Sequence, residues 1–521
     1  MNRRPTAPRH GVRARMLLAT ALFCAMPLLA SAAPPIAKPL LPSMGEQRSF
    51  NLRIGPASLG RTFVIRSADA SFVKVHFDHV SLPDGVTLEV SNPAGTEVYR
   101  YSNQKRDGYT YDVSLGHDGR SSFSAMSIHG PVALVRLVGT PRGAWRATDG
   151  VRVSRFMRGH SERKMQELRS ASQRGLLPAS IWVYGTAEQR PVACYQTSDP
   201  VAFERTRPVA HLMPIGCTAW RVGPGNHMFT NNHCISTAAD TAASELWFNN
   251  QASTCTGTTA TPTKVPADQM LKTDRTLDYT LFTLKNPSAA ASFGYLGLET
   301  RAPTLNEEIF IAGHPNWRLK ELSVVSDQDG GGRCRINNAS TNGYGTNTDI
   351  GYYCDTEGGN SGSPVVARAS NKVIALHHLG GSINKGVKIS QIWPQVSSFF
   401  GGVVPNGDNG TITPPPPGDT VVHNVNLPSV STGNWSSIYT VAIPAGTTKL
   451  VVNISGGTGD ADLYVRAGAA PTTTLHNCRP YLPGNTETCT INNPVAGTTY
   501  YIGVRAYSSF SGVNMKATRS P

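Results

Sequence analysis

Ten residues, Asp355-Thr356-Glu357-Gly358-Gly359-Asn360-Ser361-Gly362-Ser363-Pro364, constrain the fold of this chain more than any other stretch. Glycines on both sides of Ser361 admit backbone angles that other residues resist, so the run closes into a tight loop. Val365-Val366 then opens a strand. The combination presents a serine hydroxyl beside backbone N–H groups on the edge of a β framework.

A serine hydroxyl is a weak nucleophile at neutral pH and needs a base, and the base needs a group to orient it. Both are present upstream. Phe229-Thr230-Asn231-Asn232-His233-Cys234 leads from apolar residues into a histidine, and Asp278 opens the alternating segment Tyr279-Thr280-Leu281-Phe282-Thr283-Leu284. The chain order His233, Asp278, Ser361 is that of chymotrypsin-type enzymes, not of subtilisins or α/β-hydrolases. Each signal alone has a plainer explanation: a turn, a buried histidine, a solvated aspartate. Their conjunction in order within one domain's length is what points to catalysis.

The ends and the composition limit the alternatives. Five arginines among the first 15 residues precede the apolar run Met16 to Ala30, and Ala30-Ser31-Ala32 supplies small residues for cleavage. Residues 1–32 are therefore expected to be a secretory signal peptide, which makes the protein extracellular and gives it no membrane partner. Five of the positive charges behind the formal +14 lie in that leader. A second basic stretch, Arg152 to Arg174, lacks the aromatic platform or helix-turn-helix of a nucleic-acid reader, so no nucleic-acid partner is expected. Of nine cysteines Cys24 falls in the leader, and the remaining eight suit disulfides in an oxidising compartment. The 14 histidines form no His-Glu-x-x-His motif and the cysteines no Cys-x-x-Cys pair, so neither a metal nor another cofactor is expected.

The chain reads as all-β. Residues 33–177 begin with short strand-like segments such as Phe72-Val73-Lys74-Val75-His76-Phe77 and finish in a basic helical junction over Ser161 to Gln173. They carry no catalytic grouping and are expected to be a propeptide, the enzyme's own N-terminal partner. Residues 178–404 hold all three catalytic candidates and six cysteines, a length that suits two six-stranded Greek-key β-barrels with the site at their junction. A stiff Pro-rich linker, 405–420, precedes a last β domain, 421–521, expected to be a small sandwich.

Across Ala193 to Trp393 the chain resembles trypsin-like proteases of the chymotrypsin clan, and within them the bacterial lysyl endopeptidase and glutamyl (V8-type) endopeptidase branches. Leu246-Trp247-Phe248-Asn249-Asn250-Gln251-Ala252-Ser253-Thr254-Cys255 and Ile311-Ala312-Gly313-His314-Pro315-Asn316 are similar to lysyl endopeptidase segments, and Gly358 to Pro364 to the V8-type serine loop. The tail, with Gly459-Asp460-Ala461-Asp462-Leu463-Tyr464-Val465, resembles the bacterial pre-peptidase C-terminal domain. The resemblance implies a monomeric serine endopeptidase acting on proteins and peptides, with Gly359 and Ser361 donating the oxyanion-hole N–H groups. It also implies disulfides Cys217–Cys234 and Cys194–Cys255, which leaves Cys334 with Cys354 and Cys478 with Cys489.

Two features set expectations for control and specificity. Neutral Asn360 directly before the nucleophile disfavours trypsin-style activation by a new N-terminal ammonium, so relief from the N-terminal segment is expected instead. Asp355, six residues before Ser361, stands where the base of a trypsin pocket lies and favours Lys or Arg at the bond to be cut. His378, beside Gly380 on the next strand, supports the alternative of a glutamyl preference. A catalytically silent adhesion protein on the same scaffold, and an ester or glycan hydrolase, are the competing function classes.

Overall fold

The computed structural model describes residues 43–106, 108–174, 183–408, 420–443 and 447–520. The expected signal peptide and most of the Pro-rich linker lie outside them.

Alternating apolar residues build three β cores. The first is a sandwich in which Gly45–Ile54, Gly150–Gly159, Phe72–Ser81 and shorter strands face a four-stranded sheet of Thr62–Arg66, Val132–Gly139, Val86–Ser91 and Val98–Tyr101. Phe77, Phe123, Tyr101, Leu88 and Val135 fill its interior. The helix Glu162–Gln173 follows, as its composition predicts.

The central region opens with a closed six-stranded barrel in the order Val209–Met213, Cys217–Arg221, Met228–Thr230, Tyr279–Leu284, Thr263–Asp274 and Glu245–Phe248. Behind it lies an eight-stranded antiparallel sheet whose middle runs Ile309–Gly313, Pro364–Ala367, Lys372–Leu379, Asn384–Lys388, Asp349–Tyr352 and Ile336–Thr341. An antiparallel bridge between Glu308 and Arg335 ties the first of those six strands to the last, curling the sheet into a second barrel. One continuous core, with Trp220, Phe229, Tyr279, Phe310, Val366 and Leu376, joins the two halves. The nucleophile candidate leads into one half and the histidine and aspartate candidates belong to the other, so this shared core sets their mutual geometry.

The last β region packs a four-stranded against a three-stranded sheet. Among the described residues no helix is long and apolar enough to cross a membrane.

The N-terminal sandwich meets the first barrel through an interface with buried charge. Lys74 pairs with Glu245, which also accepts from the Ser127 Oγ (3.0 Å) and the Trp247 Nε1 (2.9 Å). Lys264 pairs with Glu97 and donates to the Ser127 carbonyl (2.7 Å). Phe72 stacks edge-on against Trp247 beside Met213.

Candidate active site

The strand Met228–Thr230 ends in Asn231 to Cys234, where buried His233 points its ring at Asp278. His233 Nδ1 lies 2.7 Å from Asp278 Oδ2, and the His233 backbone N–H donates to Asp278 Oδ1 at 2.9 Å. Asp278 has φ 45°, a left-handed value that aspartate tolerates better than most residues. Asn231 Nδ2 holds its carbonyl at 2.8 Å. Burial raises the pKa of Asp278, but the charges and hydrogen bonds of His233 and His378 outweigh it and keep the carboxyl well below the usual range.

Ser361 is joined to this pair through Thr218. The Thr218 N–H donates to the Ser361 carbonyl (2.8 Å) and its Oγ1 to the Gly359 carbonyl (2.8 Å). The neighbouring Cys217 is disulfide-bonded to Cys234, the residue after His233. The serine loop is thus fastened to the strand that the disulfide fixes against the histidine. Gly362, at φ +89°, must be glycine, since a Cβ there would meet the Thr218 carbonyl oxygen at 2.1 Å. Gly359, at φ +99°, is held as tightly, with the His314 carbonyl oxygen 2.4 Å from any Cβ. The Gly358 carbonyl accepts from the Asn316 N–H, and planarity of the trans peptide turns the Gly359 N–H to the opposite side.

Of the three expected pocket residues, Asp355, His378 and Gly380, the first two are engaged elsewhere. Asp355 is fully buried and accepts backbone N–H groups from Tyr184 (3.0 Å) and Glu188 (2.9 Å), so its carboxylate does not face a pocket. His378 lies between two carboxylates: its Nδ1 is 3.1 Å from Asp278 Oδ2 and its Nε2 2.6 Å from Asp349 Oδ2. Burial alone would lower the pKa of His378, yet the hydrogen bonds and charges of Asp278 and Asp349 raise it to about 9. It is an imidazolium locked inside the fold, with Tyr344 edge-on at 5.4 Å. The third, Gly380, follows that strand and is partly exposed. Asp349 carries no sequence signal of its own; it reaches His378 because its strand and the His378 strand both pair with Asn384–Lys388.

Three of the four expected disulfides are formed: Cys194–Cys255, Cys217–Cys234 and Cys478–Cys489. The fourth is corrected: Cys334 and Cys354 are buried free thiols in hydrogen-bond contact. Elimination brings the right residues together, but an even count does not place two sulfurs at bonding distance. Cys217, His233 and Cys234 converge closely enough to suggest a metal centre, but both sulfurs are already in a disulfide and are not ligands.

Residues 217–376 match the model of the trypsin-like peptidase domain, and residues 436–506 that of the bacterial pre-peptidase C-terminal domain. Among curated proteins, the secreted RxLR effector protein 73 of Plasmopara viticola is 28% identical over 341 residues, 62% of this chain and 79% of that protein. The neutral protease of Vibrio proteolyticus is 43% identical over 122 residues, 23% of this chain and 20% of that protein. A solved Glu endopeptidase in complex with MPD aligns over 42% of this chain and all of its own, at 17% identity and a TM-score of 0.32. With the two domain matches and the β framework in agreement, the chain carries a trypsin-like peptidase domain over residues 217–376, followed by a bacterial pre-peptidase C-terminal domain over residues 436–506.

Proposed function

We propose that this protein is a secreted endopeptidase that uses Ser361 as nucleophile, His233 as general base and then acid, and Asp278 to orient the imidazole and stabilise its charged form. The observation that carries this reading is the Asp278–His233 pair, hydrogen-bonded at two points and fastened through Cys217–Cys234 and Thr218 to the loop of Ser361. Ser361 attacks the scissile carbonyl and passes its proton to His233, which returns it to the leaving amine. Water then hydrolyses the acyl-enzyme by the same route in reverse. The N–H groups of Gly359 and Ser361 stabilise the oxyanion, each donor contributing about 3 to 4 kcal/mol in enzymes of this chemistry.

The residues after the signal peptide and before the peptidase domain serve as its propeptide, and the active form is a monomer acting on protein substrates. The preference for Lys or Arg loses its basis, because Asp355 binds backbone amides and Glu357, two residues on, pairs with Arg318 (2.6 Å). The glutamyl alternative loses His378, whose ring is enclosed by two aspartates. With Asp355 and Glu357 both engaged, neither is free to pair with a basic P1 side chain, which favours cleavage mainly after residues other than Lys and Arg. Mass spectrometry of peptides released from a denatured protein mixture tests both statements. Equal cleavage by Ser361→Ala would overturn the mechanism, and a predominance of Lys or Arg at the cut would overturn the specificity.

A further inference from the structure

After the helix Glu162–Gln173 the described chain resumes at Val183, and its next residues fold onto the approach to the nucleophile loop. Asp355 Oδ1 accepts the Tyr184 N–H and Oδ2 the Glu188 N–H, while the Asp355 carbonyl takes Ser323 Oγ (2.7 Å) and Gln189 Nε2 (2.6 Å). The turn between these two amides is itself built. Gly185 sits at φ +88°, Asp327 Oδ2 accepts the Thr186 N–H (2.8 Å), and the Asp327 N–H donates back to Glu188 Oε2 (3.0 Å). Tyr184 reaches further: its hydroxyl donates to the Gly381 carbonyl (2.9 Å), and its ring lies edge-on to Tyr353 at 5.0 Å. One short segment therefore grips both the strand end that leads into Ser361 and the turn after the strand that carries His378.

We infer that Asp355 is a positioning residue, anchoring the segment Tyr184–Gln189 to the nucleophile loop, and that this segment must remain on the peptidase domain after the propeptide is cut away. The inference rests on Ser361 as the nucleophile. From Asp355 the chain continues through Glu357, whose carbonyl accepts the Asn360 N–H (3.0 Å), and Asn360, whose carbonyl accepts the Ser363 N–H (2.8 Å). The anchor sits at the root of that hydrogen-bonded turn. An ion pair between a new N-terminal ammonium and the residue before the serine is not available here, because that residue is Asn360. Asp355 performs the comparable fastening with two internal amides, so it does not require a free N-terminus at a fixed position. It requires only that Tyr184 to Glu188 stay covalently attached, and a maturation cut is compatible with activity only upstream of Tyr184.

Asp355→Asn tests this. The amide keeps one acceptor but turns N–H groups toward a backbone N–H, so one of the two anchoring bonds is lost and replaced by a clash of donors. With matured enzyme and peptides that differ only at P1, kcat is expected to fall at least about tenfold on every substrate the wild type cleaves, with KM changed less than about threefold and the order of P1 preference unchanged. Loss confined to basic P1 residues, or a change in that order, would show that Asp355 reads the substrate, and an unchanged kcat would show that the anchor is dispensable. Independent of how the variant folds, N-terminal sequencing of active wild-type enzyme is expected to begin at or before Tyr184, and full activity in a chain beginning after Glu188 overturns the proposal. Residual activity in Ser361→Ala would instead be the failure of the catalytic assignment, which these outcomes do not mimic.

Discussion

Replacing Asp349 with Asn changes the electrostatics of the site without touching His233 or Ser361. His378 is fully enclosed, with Asp349 Oδ2 at 2.6 Å on one ring nitrogen and Asp278 Oδ2 at 3.1 Å on the other. Against an ordinary histidine value of 6.5, its pKa of about 9 in the folded protein corresponds to about 3 kcal/mol of folding stability. Because the folded-state pKa is the higher one, the contribution is complete below about pH 6.5 and disappears as the pH rises through about 9. The substituted amide would keep the shape but remove the closer of the two negative charges, so more than half of the contribution should go, about 2 kcal/mol at pH 6. Urea denaturation of the Ser361→Ala chain, which cannot digest itself, with and without Asp349→Asn, gives the difference at each pH. The gap is expected to be widest near pH 6 and to shrink steadily toward pH 10. A gap that stays constant from pH 6 to pH 10, or widens, would mean that His378 is neutral in the folded protein and would refute the reasoning.

Three further expectations are open to the same denaturation measurements. Lys74→Met leaves the Glu245 carboxylate buried without its cation and should cost about 3 to 5 kcal/mol, whereas the double variant Lys74→Met, Glu245→Gln, which removes the charge and keeps an acceptor for Ser127 and Trp247, should recover much of that loss. Lys320 is completely buried with its Nζ on the Thr206 carbonyl (2.8 Å), and desolvation lowers its pKa to about 7. The unfolded chain therefore binds the extra proton, and wild-type stability relative to Lys320→Met should rise between about pH 7 and pH 10. Removing the Cys217–Cys234 disulfide by double substitution to Ser should lower stability by about 3 kcal/mol and reduce kcat more than KM, since the bond fastens the histidine to the strand of Thr218.

How much of this site can be read from sequence depends on whether a residue's partners are local. The serine loop is legible because its glycines act on the loop's own backbone: Gly359 and Gly362 both adopt positive φ values that glycine takes without strain. The histidine and aspartate are legible because their order along the chain carries information that their distances do not. The β character of all three regions follows from alternation in segments such as Tyr279–Leu284, which needs no knowledge of neighbours.

Direction is what the sequence cannot supply, and the two corrected pocket residues show why. Both His377 and His378 are buried because their strand is covered on both faces, Val373 to His378 being buried without a break, so burial alone does not tell which way either ring points. The strand Lys372–Leu379 slips register against Asn384–Lys388 between His377 and Leu379, and a slip of that kind re-aims the side chain it contains. His378 turns to the two aspartates, while His377 Nδ1 lies 2.7 Å from the Tyr352 hydroxyl. For Asp355 the spacing to Ser361 gives the residue's place along the loop, but the orientation of its carboxylate is decided by amides some 170 positions upstream. Position relative to the nucleophile is thus a property of one loop, whereas recognition of substrate is a property of every segment packed on it. Specificity borrowed along a chain by spacing alone fails wherever a distant segment has already taken the functional group.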